Sequence, residues 1–138
     1  MSLTKLNLSP KILNALKDKG YKESTPIQKK LIPAIFAGKD ILAGAQTGTG
    51  KTASFALPIL QELSNEFQKD RHYPKAIVIV PTRELAKQVK ESFELYGKYL
   101  PLKTISLFGG SNLNEQIKKL KKGADTVSYT HLTLPTKA

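Results

Sequence analysis

Apolar positions along the chain switch between two periods. Ile12, Leu13 and Leu16 share one helical face, after Ser9-Pro10, a capping hydroxyl followed by proline, and before Gly20. A second helical stretch opens at Thr25-Pro26 and runs to Ala37 before Gly38. Ile41 to Ala43 is short and apolar, as a buried parallel strand is, and Ala53 to Leu63 reads as helix. After a polar loop from Ser64 to Pro74, Lys75 to Val80 is the clearest strand, β-branched and nearly continuous in apolarity. Arg83 to Tyr96 is predicted helical, Thr104 to Phe108 a strand, and Asn112 to Lys122 a helix with Asn112 and Glu115 at capping-box spacing. Val127 to Thr133 alternates with period two and can pair as a strand. Strands alternating with helices predict an α/β fold, a parallel sheet with helices on both faces.

Composition narrows the setting. The chain has 138 residues, 40% of them hydrophobic, enough for one domain with a real core. Twenty-two Lys and Arg against 11 Asp and Glu give a net charge of +11, which favours a polyanionic partner such as nucleic acid. No cysteine is present, so disulfides and thiolate metal sites are excluded. No signal-peptide stretch or bilayer-length apolar run occurs, and the expectation is a soluble, cytoplasmic chain without a membrane partner.

The chemistry concentrates at strand ends. Ala45-Gln46-Thr47-Gly48-Thr49-Gly50-Lys51-Thr52 stands between an apolar strand and a helix, the setting of a phosphate-cradling P-loop. Its glycines let backbone N–H groups point at phosphate oxygens beside a helix N-terminus. Lys51 is placed to reach terminal phosphates, and the Thr52 hydroxyl to hold Mg2+. Thr25 and Gln28 admit two readings. Their spacing is that of a capping box, which spacing alone favours; the Gln28 amide also suits an adenine edge, with Tyr21 as a stacking face. Pro81-Thr82-Arg83 is either a helix cap or a phosphate contact, and Gly109-Gly110 either a plain turn or a close approach to a nucleic-acid backbone. The loops at Ala45–Thr52, Pro81–Arg83 and Gly109–Gly110 are expected to share the carboxyl-end rim of one sheet. Lys118, Lys119, Lys121 and Lys122 read as a solvated helix face, and His72 and His131 lack ligand spacing.

Taken together these residues resemble the DEAD-box RNA helicases. Gly20 to Gln28 is similar to the family's Q motif, Ala45 to Thr52 reads AQTGTGKT like its P-loop, Pro81 to Ala86 reads PTRELA like its motif Ia, and Gly109-Gly110 matches its glycine pair. The resemblance covers residues 3 to about 125 and implies a P-loop NTPase (RecA-like) lobe, truncated. It divides the chain into a Q-motif helical region (1–38), a partial first RecA-like ATP-binding domain (39–125) and a non-native tail (126–138), such as translated adaptor sequence. It implies ATP and Mg2+ as cofactors, with Tyr21, Thr25, Gln28 and Ala45, Gln46, Thr47, Gly48, Thr49, Gly50, Lys51 and Thr52 around the nucleotide. Lys51 and Thr52 take the catalytic roles, Thr52 also the metal. Pro81, Thr82, Arg83, Gly109 and Gly110 become RNA-backbone contacts.

Departures qualify the resemblance. Where the family has an isolated phenylalanine upstream of the Q motif this chain has Leu3, and Ser24 replaces a frequent proline. No Asp-Glu-Ala-Asp quartet occurs, nor a second lobe with arginine fingers. The expected function is therefore the ATP- and RNA-binding part of an ATP-dependent RNA helicase that unwinds short duplexes, monomeric and not itself competent for turnover. The alternatives are another P-loop ATPase or DNA translocase, or a basic nucleic-acid-binding fragment without enzyme activity.

Overall fold

The computed structural model describes residues 3–46, 50–65, 73–109 and 112–130. They fall into two compact units, one of residues 1–67 and 92–101, the other of residues 68–91 and 102–138.

The first unit is helical. A 3-10 turn, Leu3–Leu6, precedes α1 (Pro10–Asp18), α2 (Pro26–Phe36) and α3 (Lys51–Asn65), and the C-terminal half of α4 (Arg83–Tyr96) completes it. The capping signals act as predicted: Ser9 Oγ accepts from the Ile12 N–H, and Thr25 and Gln28 form both halves of a capping box. The apolar stripe of α1 buries Ile12, Ala15 and Leu16, while Ile32 of α2 and Ala56, Leu57 and Leu60 of α3 are buried as well. Helices α2 and α3 pack together. The Phe55 and Phe93 rings, 6.3 Å apart, join α3 to α4. The Ser9 N–H donates to Gln61 Oε1 at 2.6 Å, so the start of α1 is tied to α3. Lys98 pairs with Asp18 at 2.7 Å and the Tyr99 hydroxyl donates to the same carboxylate, which together hold it below its ordinary pKa. That cluster is exposed and adds little stability.

The second unit is a parallel sheet. Strands β1 (Ala76–Val80), β2 (Thr104–Phe108) and β3 (Thr126–Thr130) lie in the order β1-β3-β2, with Val78, Ser128 and Ser106 level with one another. Alternation gives the sheet two distinct faces. Ile105 and Val127 form a small core with Ala124, against which Leu107, Tyr129 and Leu120 of α5 (Leu113–Lys121) pack. On the opposite face Ser106 Oγ and Ser128 Oγ reach the Ala86 carbonyl of α4 at 3.3 and 2.6 Å. Helices thus flank both faces, as the alternation predicts. The amino ends of all three strands meet at Asp125: its carbonyl accepts from the Lys75 N–H (2.9 Å), its N–H donates to the Lys103 carbonyl (2.9 Å), and its carboxylate accepts from the Lys103 N–H (2.8 Å).

One expectation changes. Ile41–Ala43 forms no strand: residues 41–46 enter neither ladder, and Leu42 is fully exposed at 102%. Three apolar residues offer too few backbone hydrogen bonds to hold a strand without a partner, and none pairs with them among the described residues. Of the three loops expected at strand ends, Pro81–Arg83 follows β1 and Gly109 follows β2 in this sheet. The strand expected in Val127–Thr133 does form over its described part, and it takes the central place. Residues 131–138 lie outside the described residues.

Because the Asp125 carboxylate is buried and accepts the Lys103 N–H, Asp125→Ala should cost about 1–3 kcal/mol. Urea unfolding checks this, and an unmoved midpoint at constant slope would count against Asp125 as the tie between strand starts.

Candidate functional site

The first site is the corner where α2 begins and α3 begins. Thr25 caps α2, and Gln28, buried at 7% exposure, accepts the Thr25 N–H through Oε1 at 3.0 Å. The same amide donates from Nε2 to the Gly50 carbonyl at 3.3 Å. One side chain thus joins the helix cap to the residue before Lys51. Gly50 has φ +83°, and a Cβ there would overlap Gln28 Nε2 and lie 3.2 Å from Thr25 Oγ1. The backbone angle favours glycine, and a Cβ would push the Gln28 amide from its bond. The Gly50 carbonyl then accepts the Ser54 N–H at 3.1 Å, which opens α3 with Lys51 and Thr52 in its first turn. This is the helix N-terminus that the sequence pattern demands for phosphate.

A cavity of about 290 Å³ lies beside this corner, lined by Leu3, Tyr21, Glu23, Gln28, Gly50 and Tyr96 among others. Leu3 is buried and so keeps an apolar wall where the resemblance expects an aromatic one. Tyr21 stands half-exposed, its ring 6.3 Å from that of Tyr96. A second hollow, of about 300 Å³, is lined by Pro26, Ile27, Lys30, Gly44, Ala45 and Gln46. Thr47, Gly48 and Thr49, the centre of the glycine loop, lie outside the described residues.

The other candidate residues belong to the second unit, at the carboxyl ends of the strands. Val80, Thr130 and Phe108 are level across the sheet, so the residues after β1 and β2 emerge together. Thr82 Oγ1 accepts the Leu85 N–H at 3.1 Å and caps α4, as the simpler reading of Pro81–Arg83 has it. Arg83 lies against the Phe108 ring, with its guanidinium carbon 4.9 Å from the centroid. Gly109 donates its N–H to the Thr130 carbonyl at 3.2 Å, and Gly110 lies outside the described residues.

Sequence reasoning missed the participants that arrive from a distance. Tyr96 at the cavity carries no local signal, and neither does the pairing of Phe108 with Arg83. The aromatic just before Gly109-Gly110 was the one available hint. Among the described residues no group of three His, Cys, Asp or Glu side chains gathers as a metal site, and no helix is long and apolar enough to cross a membrane.

Burial first, and then the charge Tyr21 would carry beside it, push the Tyr96 phenol up to about 12. The folded state keeps a proton that the unfolded chain loses near pH 10. Its stabilising contribution is thus complete below about pH 10 and lost as pH rises through about 12. Titration of tyrosinate absorbance should show one late step that Tyr96→Phe removes; all five tyrosines ionising together would contradict the placement of Tyr96.

The DEAD/DEAH box helicase family model matches residues 25–136. The chain is 46% identical over 126 residues to the ATP-dependent RNA helicase DeaD of Mycobacterium tuberculosis, covering 91% of this chain and 22% of that protein. It is 40% identical over 129 residues to the DEAD-box ATP-dependent RNA helicase RhpA of Helicobacter pylori, covering 94% of this chain and 25% of that one. Against the probable ATP-dependent RNA helicase DDX46 of Homo sapiens it is 39% identical over 130 residues, 94% of this chain and 13% of the relative. The chain therefore spans a quarter or less of the length of these relatives, and it belongs to the DEAD/DEAH box helicase family.

Proposed function

We propose that this chain is the ATP-binding and RNA-binding part of an ATP-dependent RNA helicase acting on short duplexes. The observation that carries the reading is Gln28, which joins the Thr25 cap to Gly50 at the head of α3. Capping does not exhaust its amide. A primary amide has two donors and two acceptor sites, so one N–H and one lone pair remain for an adenine edge that presents N7 and N6–H. Tyr21 offers a half-exposed ring as the stacking face. Bound with magnesium, ATP supplies the driving force for cycles of RNA binding and release. Lys51 and Thr52, in the first turn of α3, would meet its phosphates and the metal, with Ala45–Gly50 as the cradle.

Thr82 supports the RNA half of the reading in the same way. Its hydroxyl accepts the Leu85 N–H and still has a proton to donate to a phosphate oxygen. With Pro81, Arg83, Gly109 and Gly110 it would grip an RNA backbone at the sheet's carboxyl rim. Transition-state stabilisation in phosphoryl transfer needs charged groups that these 138 residues do not include, an acidic quartet and an arginine finger. We infer a cytoplasmic, monomeric protein with a Q-motif region at 1–38, a RecA-like domain at 39–125 and a non-native segment at 126–138. Support for the last comes from β3: its α4-facing residues Thr126, Ser128 and Thr130 are buried and polar, whereas a central parallel strand is ordinarily apolar on both faces. Independent reading of the DNA after the codon for Asp125 checks it, and recovery of the same codons would refute it.

The chain should bind ATP more tightly than GTP, and Gln28→Ala should weaken ATP binding by about five-fold or more while leaving GTP little changed. Hydrolysis measured with and without single-stranded RNA should show no stimulation. Equal affinity for the two nucleotides would remove Gln28 as adenine reader, and clear RNA stimulation would show that the chain is catalytically sufficient. RNA binding that falls steeply with salt yet ignores Lys51→Ala, without ATP binding, would favour a basic binding module driven by the +11 charge.

A further inference from the structure

We propose that Phe108 is a positioning residue for RNA binding, an aromatic plate that holds Arg83 at the carboxyl rim of the sheet. The inference rests on the RNA reading above and names a residue outside the motifs that suggested it. Phe108 ends β2 and is half-buried. It shares the sheet face of Thr104 and Ser106, the face from which Ser106 Oγ reaches the Ala86 carbonyl of α4 at 3.3 Å. On α4, Arg83 and Lys87 are four residues apart and therefore lie on one side of the helix. Both cations meet the same ring, Arg83 with its guanidinium carbon at 4.9 Å from the centroid and Lys87 with Nζ at 5.8 Å. These distances are within the range of cation–π attraction.

The plate itself is fixed from behind. Gln116 of α5 accepts the Phe108 N–H through Oε1 at 2.6 Å and donates from Nε2 to the Phe108 carbonyl at 2.9 Å. This one amide closes both backbone groups of Phe108, as a neighbouring strand would at the open edge of β2. The backbone beneath the ring is thus held by strand β3 on one side and by Gln116 of α5 on the other, while the Thr82 cap fixes the start of α4. Stacking uses the plane of a guanidinium, whereas hydrogen bonding to phosphate uses its edge. A long, many-jointed side chain held by its plane loses less freedom when a phosphate arrives. The electron-rich ring face also offsets repulsion between two cations kept close together.

The test uses the 138-residue chain with a fluorescent single-stranded oligouridylate and side-chain NMR. In the wild type the Arg83 Nε–H resonance should carry a ring-current shift, lost in Phe108→Leu and kept in Phe108→Tyr. Phe108→Leu should weaken RNA binding about two- to five-fold, Phe108→Tyr should bind as the wild type does, and Phe108→Leu should add little once Arg83→Ala is present. An unshifted Arg83 resonance in the wild type overturns the proposal, and so does Phe108→Leu binding RNA normally while Arg83→Ala does not. If Phe108→Leu fails to fold, the wild-type shift and the Phe108→Tyr affinity still decide. Unchanged RNA binding by Arg83→Ala would instead overturn the RNA reading of the rim, and the positioning role of Phe108 would fall with it.

Discussion

The amide of Gln28 is the constraint on which the corner between α2 and α3 depends. It is buried, and a buried primary amide must find partners for its N–H and its carbonyl. It finds them in two different elements, the Thr25 N–H at the start of α2 and the Gly50 carbonyl at the start of α3. Satisfying one side chain therefore fixes the separation of two helix N-termini. Gly50 is the counterpart of that demand, since its positive φ would strain any side chain and a Cβ would displace the Gln28 amide. The position of Lys51 follows, because the Gly50 carbonyl begins the hydrogen-bond ladder of α3.

The sheet solves a similar problem with a less usual strand. Thr126, Ser128 and Thr130 turn hydroxyls toward α4 from the middle of a parallel sheet, where water cannot satisfy them. Two of them find acceptors: Ser128 donates to the Ala86 carbonyl, with its oxygen 3.0 Å from Ser106 Oγ, and Thr130 Oγ1 donates to the Val80 carbonyl at 3.0 Å. Hydrogen bonds of this kind cancel the desolvation penalty and add little beyond it. The apolar contribution to β3 comes from its other face, Val127 and Tyr129 against the α5 side. A strand of alternating polarity can fill a central place, but it contributes apolar burial on one side only.

Much of the local structure was legible in the residues, because helix starts and stops are local chemistry. Ser9, Thr25, Thr82 and Asn112 all cap the helices they were expected to cap, since each needs only an N–H three residues ahead. Strands are different, because a strand exists only when another backbone lies beside it. Ile41–Ala43 has a strand's composition and no ladder partner among the described residues; Thr126–Thr130 has a weaker pattern and two. The candidate site divides along the same line. The motifs announced Gln28, Lys51 and Arg83, but not the ring beneath Arg83, which is 25 positions away in sequence, nor Tyr96 beside Tyr21.

That division also removes an apparent choice between structural and functional readings. Capping asks Gln28 for one acceptor site and Thr82 for one, and the Gly50 bond takes one N–H of Gln28. The chemistry left over is a donor and an acceptor on the amide and a donor on the hydroxyl. A group already held by the backbone loses little freedom when a ligand uses its remaining valence, so its second hydrogen bond forms at lower entropic cost than a loose side chain's would. Cap residues at strand and helix ends are therefore well suited to act as ligand contacts, and the cap geometry at Thr25–Gln28 and Thr82 counts toward the nucleotide and RNA readings rather than against them.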